Sequence, residues 1–156
     1  MDREMRRKEK AISREETMEV LNSAEYGVLS TISGDNTPYG TPMNFVYVDG
    51  AIYFHCALEG HRIENIKGNS SACLNVVDSV VLMPEKFNTQ YRSVTVFGRV
   101  QIVENKEEKK KGIAAIAQKL SPDYSKEGMA YIESAFDKMH VLRMDIDKMT
   151  GKATRG

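Results

Sequence analysis

The sequence has no tryptophan, only two cysteines and four prolines, and no net charge, its 22 basic residues balancing 22 acidic ones. Each scarcity closes a class of function. Without net charge there is no long-range field to gather polyanions, which argues against a nucleic-acid partner or an acidic membrane surface. Cys56 and Cys73 show no C-x-x-C spacing and lie in apolar, strand-like runs. A reduced pair of small core residues is therefore expected, not a disulfide framework. No apolar run is long enough to span a bilayer. The opening MDREMRRKEK carries charge clusters without the apolar stretch of a signal peptide, so a cytoplasmic location is expected. Several catalytic signatures are also missing: a G-x-G-x-x-G after a strand, a Walker A loop, a G-x-S-x-G elbow and an H-E-x-x-H pair. Hydrolases and nucleotide triphosphatases lose their usual support.

What is present fits one domain over residues 1–156, with residues 1–12 and 150–156 too polar to join a core and expected to be flexible tails. Ser13-Arg-Glu-Glu16 has the form of a capping box and predicts a helix over 14–23. Strand character follows at 26–32, 38–47 and 51–56, separated by the turn residues Ser33 to Asn36 and by Asp49-Gly50, so that the three form a meander. A short helix is expected over 61–67, closed by Gly68, then strands over 71–82 and 91–103. Ile113, Ile116 and Leu120 mark one face of a helix over 105–120 whose opposite, solvated face carries Lys109 to Lys111. A second helix over 126–136 and a final strand over 139–147 complete the chain. The fold class is mainly β: a six-stranded antiparallel barrel with added helices and no βαβ alternation.

One segment concentrates chemistry, the run Tyr53-Phe-His-Cys-Ala-Leu-Glu-Gly-His-Arg62. It sets Gly60 between a strand and a helix start, where open backbone N–H groups suit an anion and Arg62 can offer two parallel charged hydrogen bonds to a phosphate. An arginine in a first helical turn is also commonly a plain surface residue. His55, Cys56 and His61 are metal ligands by type, yet His55 and Cys56 are adjacent on a strand and point to opposite faces, so they do not easily share an ion. The same geometry argues against a Cys-His nucleophilic pair at Cys56, and no metal is expected.

The runs Tyr26-Gly-Val-Leu-Ser-Thr, Pro38-Tyr-Gly-Thr-Pro-Met-Asn-Phe-Val-Tyr47, Ile52 to Arg62 and Tyr91-Arg-Ser-Val-Thr-Val-Phe-Gly98 occur in the order and spacing of a known family. Together they resemble the pyridoxamine 5′-phosphate oxidase-like flavoproteins, most closely the nitroimidazole-resistance (Nim-type) subgroup. The likeness covers about residues 13–103. It implies a split barrel, a homodimer with FMN at its interface, and redox chemistry that belongs to the flavin, with no obligatory catalytic side chain. By motif, Pro42, Met43, Asn44, Phe45, Val46 and Tyr47 would lie along the flavin ring and offer it backbone hydrogen bonds. His55 and Cys56 would stand beside the phosphate or ribityl chain, His61 and Arg62 would bind the phosphate, and Tyr91, Arg92 and Ser93 would reach the flavin from the other protomer. Arg62 stands where many relatives have lysine, which keeps the charge. The substrate-phosphate residues and C-terminal motif of the true oxidases are not found, which argues against vitamin B6 oxidation. The implied activity is transfer of electrons from NAD(P)H to a small planar acceptor such as a nitroaromatic. The alternatives are an FMN-binding or storage protein without turnover, a deazaflavin protein, and a haem-binding relative with His55, His61 or His140 as axial ligand.

Overall fold

The computed structural model describes residues 3–156. Ser13 caps the first helix α1 (Arg14–Ser23), its hydroxyl accepting the Glu16 N–H at 3.1 Å. Val20 and Leu21 on its inner face are fully buried. Seven strands follow: β1 (Tyr26–Ile32), β2 (Pro38–Asn44), β3 (Val46–Val48), β4 (Ala51–Cys56), β5 (Ser71–Met83), β6 (Asn88–Ile102) and β7 (His140–Thr154). Helix α2 (His61–Gly68) lies between β4 and β5, and α3 (Lys106–Leu120) and α4 (Ser125–Ala135) lie between β6 and β7.

All neighbouring strand pairs are antiparallel, in the order β2-β1-β5-β6-β7-β4-β3. The two outermost strands of this order, β2 and β3, are separated in sequence by Phe45 alone. The sheet must therefore curl until its edges meet, which makes a barrel with a split at that junction. Phe45 is fully buried there, and Lys119 of α3 covers it, donating to the Phe45 carbonyl at 3.0 Å and the Leu21 carbonyl at 3.1 Å. The extended run expected over 38–47 is thus two strands, β2 pairing with β1 and β3 with β4. Neither the continuous meander nor the count of six strands holds, although the mainly β barrel class does.

Alternation along β4 divides the apolar interior in two. Ile52 and Phe54 face the barrel lumen with Leu29, Leu74 and Met144. Ala51 and Tyr53 face outward under α3 and α4, against Ile113, Ile116 and Ile132.

The last strand is longer than the sequence predicts. Instead of ending at 147 with a frayed tail from 150, β7 pairs with β6 up to Tyr91↔Thr154. Ala11 bridges to Lys152, and Lys10 Nζ donates to Thr154 Oγ1 at 2.8 Å, so the start of the chain is pinned on this strand as well. Gly151 allows it: a Cβ there would stand 2.4 Å from Thr17 Oγ1 and 2.7 Å from Ile12. Of the expected N-terminal tail, residues 1 and 2 lie outside the described residues. No helix among the described residues is long and apolar enough to cross a membrane.

Candidate functional site

The turn between β4 and α2 is built by Gly60. Its φ of +132° is a conformation that side chains rarely adopt, and nothing stands within 4 Å of where a Cβ would be, so backbone geometry and not crowding requires glycine. No side chain caps the helix, and its first internal bond runs from the Glu64 N–H to the Gly60 carbonyl at 3.1 Å. The N–H groups of His61, Arg62 and Ile63 are left without helical partners. Helix α2 is held in place from beneath, where buried Asn65 donates to Thr31 Oγ1 of β1 at 3.0 Å.

Three further groups converge on this turn. Arg62 Nε donates to Thr41 Oγ1 of β2 at 3.1 Å, the His61 ring lies 4.1 Å from the Tyr39 ring, and His61 Nε2 is 2.8 Å from Ser33 Oγ. Arg62 is half-buried and has no carboxylate partner among the described residues, in contrast to Arg92 and Arg143, which are both paired. Burial pushes the Cys56 thiol up, against the pull of the neighbouring Arg62 guanidinium. Cys56, His61 and Arg62 are therefore brought together. Ser33, Tyr39 and Thr41 join them, although sequence reasoning did not single them out. Alternation on β2 puts Tyr39 and Thr41 on the inward face with Met43, but nothing in the sequence says that this face meets α2.

Other expected residues lie elsewhere. His55 turns to the opposite face of β4 from Cys56 and borders a cavity against α3 and α4, so it does not stand beside Arg62 as the resemblance implied. The period-two geometry of a strand separates the pair. Met43, Phe45 and Val46 are buried in the two cores, and Asn44 donates to the Glu25 carbonyl at 2.8 Å. Pro42 lies on the outer face of β2, and Tyr47 lies half-buried beside Gly50 and Ile146. The backbone of β2 nevertheless has one side free of any strand partner.

Tyr91, Arg92 and Ser93 are distant from the turn of their own chain. Cys73, two strands from β2, pairs with Phe97, and Arg92 lies five residues further along β6, about 17 Å at strand rise. Arg92 is spent on Asp78, with bonds of 2.9 and 2.7 Å, and Ser93 is buried. Tyr91 stands beside Lys152, whose hydrogen bond holds the phenol below its ordinary range against the opposing effect of burial.

The turn thus presents backbone donors, a half-buried guanidinium without a carboxylate and a neighbouring imidazole. That donor set suits a phosphate monoester. Among the described residues no three His, Cys, Asp or Glu side chains are grouped to hold a metal ion.

The outer face of the sheet carries several exposed apolar side chains around the Asn75–Thr95 pair. Val28, Val77 and Phe97 are 39%, 46% and 40% exposed, and the β5–β6 hairpin adds Val80, Val81, Leu82 and Phe87, the last 99% exposed.

The fold has close counterparts. A 5-nitroimidazole antibiotic resistance protein so described from Bacteroides thetaiotaomicron superposes with a TM-score of 0.78 at 24% identity, over 92% of this chain and 86% of that one. A conserved hypothetical protein from Mycobacterium tuberculosis gives 0.82 at 19% identity, over 96% and 90% of the two chains. An FAD and heme binding protein from Mycobacterium smegmatis gives 0.80 at 20%, over 94% and 74%. Among curated proteins there is no significant sequence match. At these identities the superpositions speak for the split barrel itself. The sequence pattern goes further: the pyridoxamine 5′-phosphate oxidase profile matches residues 13–153, from the cap of α1 to the end of β7, and the chain belongs to that family.

Proposed function

We propose that this chain is a flavoprotein that holds the phosphate of FMN on the Gly60-His61-Arg62 turn and acts as an oxidoreductase, taking electrons from NAD(P)H and passing them to a small planar acceptor such as a nitroaromatic. The observation that carries the flavin reading is Arg62: half-buried, beside three N–H groups without helical partners, and unmatched by any carboxylate among the described residues. Membership of the family supports the same reading.

FMN supplies the hydride chemistry when bound. The chain's own residues bind and orient. Arg62 and the turn N–H groups neutralise the phosphate, and Thr41 fixes the guanidinium plane by accepting from Nε. The unpaired side of β2 offers backbone donors and acceptors along residues 42–44 to the polar edge of a flat ring.

The working form is a homodimer with the flavin at its interface. The exposed Val28, Val77, Phe97 and hairpin residues add up to a large exposed apolar area of the kind that marks interaction surfaces. A second copy covers it. In that arrangement Tyr91, too far from the turn of its own chain, serves the flavin of the other protomer.

The test is a spectrum followed by an anaerobic titration. Purified chain saturated with FMN should bleach on addition of NAD(P)H and recover its colour when a nitroimidazole is added. A protein that takes up no FMN refutes the flavin reading, as does one that shows a haem Soret band instead. A chain that binds FMN but stays oxidised with both nicotinamides refutes the oxidoreductase and leaves a storage or carrier role.

A further inference from the structure

The outward face of β4 is sealed for most of its length. Tyr53 is 3% exposed and donates its hydroxyl to Glu108 of α3 at 2.9 Å. His55, two residues on and on the same face, is not covered in this way. Helices α3 and α4, joined by the reversal through Ser121 to Tyr124, border a cavity of about 350 Å³ here. Its lining includes Ile116, Leu120, Ile132 and His55, with Ser121 and the largely exposed Tyr124 and Tyr131 also bordering it.

His55 is the informative group. It is half-buried, yet it makes no hydrogen bond or ion pair among the described residues, and burial pushes its pKa down, so the ring is neutral at neutral pH. A neutral imidazole carries one donor and one acceptor nitrogen, and because no buried side-chain polar atom among the described residues lacks a partner, the unbonded ring nitrogens of His55 are accessible to an incoming group. The apolar walls oppose a charged occupant, because its charge would have to be desolvated. The ionisable groups bordering the cavity besides His55 are the two tyrosines and Glu127, and Glu127 is solvent-exposed at the rim. The volume is at the lower end of the range for small-molecule pockets, enough for one or two fused rings and too small for a tetrapyrrole.

We infer that the cavity between β4, α3 and α4 is a binding site for an uncharged mono- or bicyclic aromatic molecule with one N–H or O–H group, which donates to the His55 ring while the apolar walls and the two tyrosines enclose the ring system. The inference is independent of the flavin reading. His55 and Cys56 point to opposite faces of β4, so the cavity lies across the strand from the Arg62 turn.

Gly128 of α4 supplies a sharp test. It borders the cavity, and a Cβ at this position would have only Ala117 Cβ near it, at 3.9 Å. Gly128→Leu therefore fills the cavity without a backbone clash and with a better helix former. Indole is a suitable probe because the chain has no tryptophan, so emission excited at the red edge of indole absorption, where tyrosine no longer absorbs, reports on the ligand. Full-length protein should bind indole saturably, one per chain, with a shift of the His55 ring resonances. Binding should weaken at least tenfold in Gly128→Leu at an unchanged or higher melting temperature, and several-fold in His55→Leu. Benzoate and benzylamine, charged rings of similar size, should not bind. Saturating FMN should leave indole affinity unchanged. The inference is overturned if indole does not bind saturably, if Gly128→Leu binds it as wild type does, if His55→Leu binds it undiminished, if the charged rings bind equally well, or if FMN displaces it.

Discussion

Replacing Arg62 by alanine separates recognition of the phosphate from recognition of the flavin ring. In the structure Nε of Arg62 is already engaged with Thr41 at 3.1 Å, and the remaining guanidinium N–H groups have no carboxylate to meet. A hydrogen bond to a charged group is worth about 1.5–3 kcal/mol. Removing one should therefore raise the dissociation constant of FMN about 10- to 150-fold at 25 °C. Riboflavin has the same ring and no phosphate, so its affinity should change far less. Arg62→Lys keeps the charge but loses the planar fork and should fall between the two. The assay is quenching of flavin fluorescence, with FMN and riboflavin titrated into the same preparations and urea midpoints measured in parallel to exclude unfolding. Equal weakening of FMN and riboflavin would refute the phosphate assignment, because the ring or the fold, and not the phosphate, would then depend on Arg62.

Other perturbations test the scaffold. A Cβ on Gly98 would stand 2.0 Å from the Asp145 carbonyl oxygen, so Gly98→Ala should open the β6–β7 ladder and cost about 2–3 kcal/mol or more in urea unfolding; a cost near zero would contradict the close approach. Lys119→Met withdraws the donor shared by the Leu21 and Phe45 carbonyls and should cost about 1–3 kcal/mol by the same measurement. Burial tends to raise the Asp78 pKa, but the paired bonds from Arg92 prevail and hold it below the ordinary value. A carboxyl depressed in the folded state stabilises above its unfolded pKa of about 4 and loses that contribution as pH falls through the folded value. Asp78→Asn should therefore be less stable than wild type at pH 7, and the gap should narrow steadily below about pH 4; a gap independent of pH would contradict the pairing. The double change Leu82→Ser with Phe87→Ser should yield a monomer in sedimentation with unaltered far-ultraviolet circular dichroism, and a variant that still sediments as a dimer would show that the hairpin face is not the interface.

How much of this was legible in the sequence depended on where the governing contact lies. Local chemistry was readable: Ser13 and Glu16 announce α1, and Tyr26–Ile32 and Ala51–Cys56 stand where β-branched and aromatic residues cluster between turn signals. The division of the second extended run was not. Pro42 and Asn44 stand close by, but no turn separates the two strands at Phe45, and the change of partner there is imposed by closure of the sheet. Lys148 and Lys152 likewise hide the strand character of the last residues, which comes from pairing with β6 over a long ladder. The site divides in the same manner. Gly60 and Arg62 were visible because a backbone conformation and a charge are properties of single residues. Ser33, Tyr39 and Thr41 reach the turn only through the tertiary fold, which brings the β1–β2 hairpin to α2, whereas the opposed directions of His55 and Cys56 follow from strand geometry alone.

The position of β7 has a consequence for assembly of the chain. It lies between β6 and β4, so the β3–β4 hairpin, complete within the first 56 residues, has no sheet to join until the final 15-residue strand has been made. During synthesis the molecule remains two unjoined half-sheets, one ending at β6 and the other a lone hairpin, which is marginal by itself in water. A premature stop before His140 would therefore not release a slightly shortened barrel but an open one, with two unpaired edges exposed to aggregation, because residues 140–145 are the ones that pair with β4.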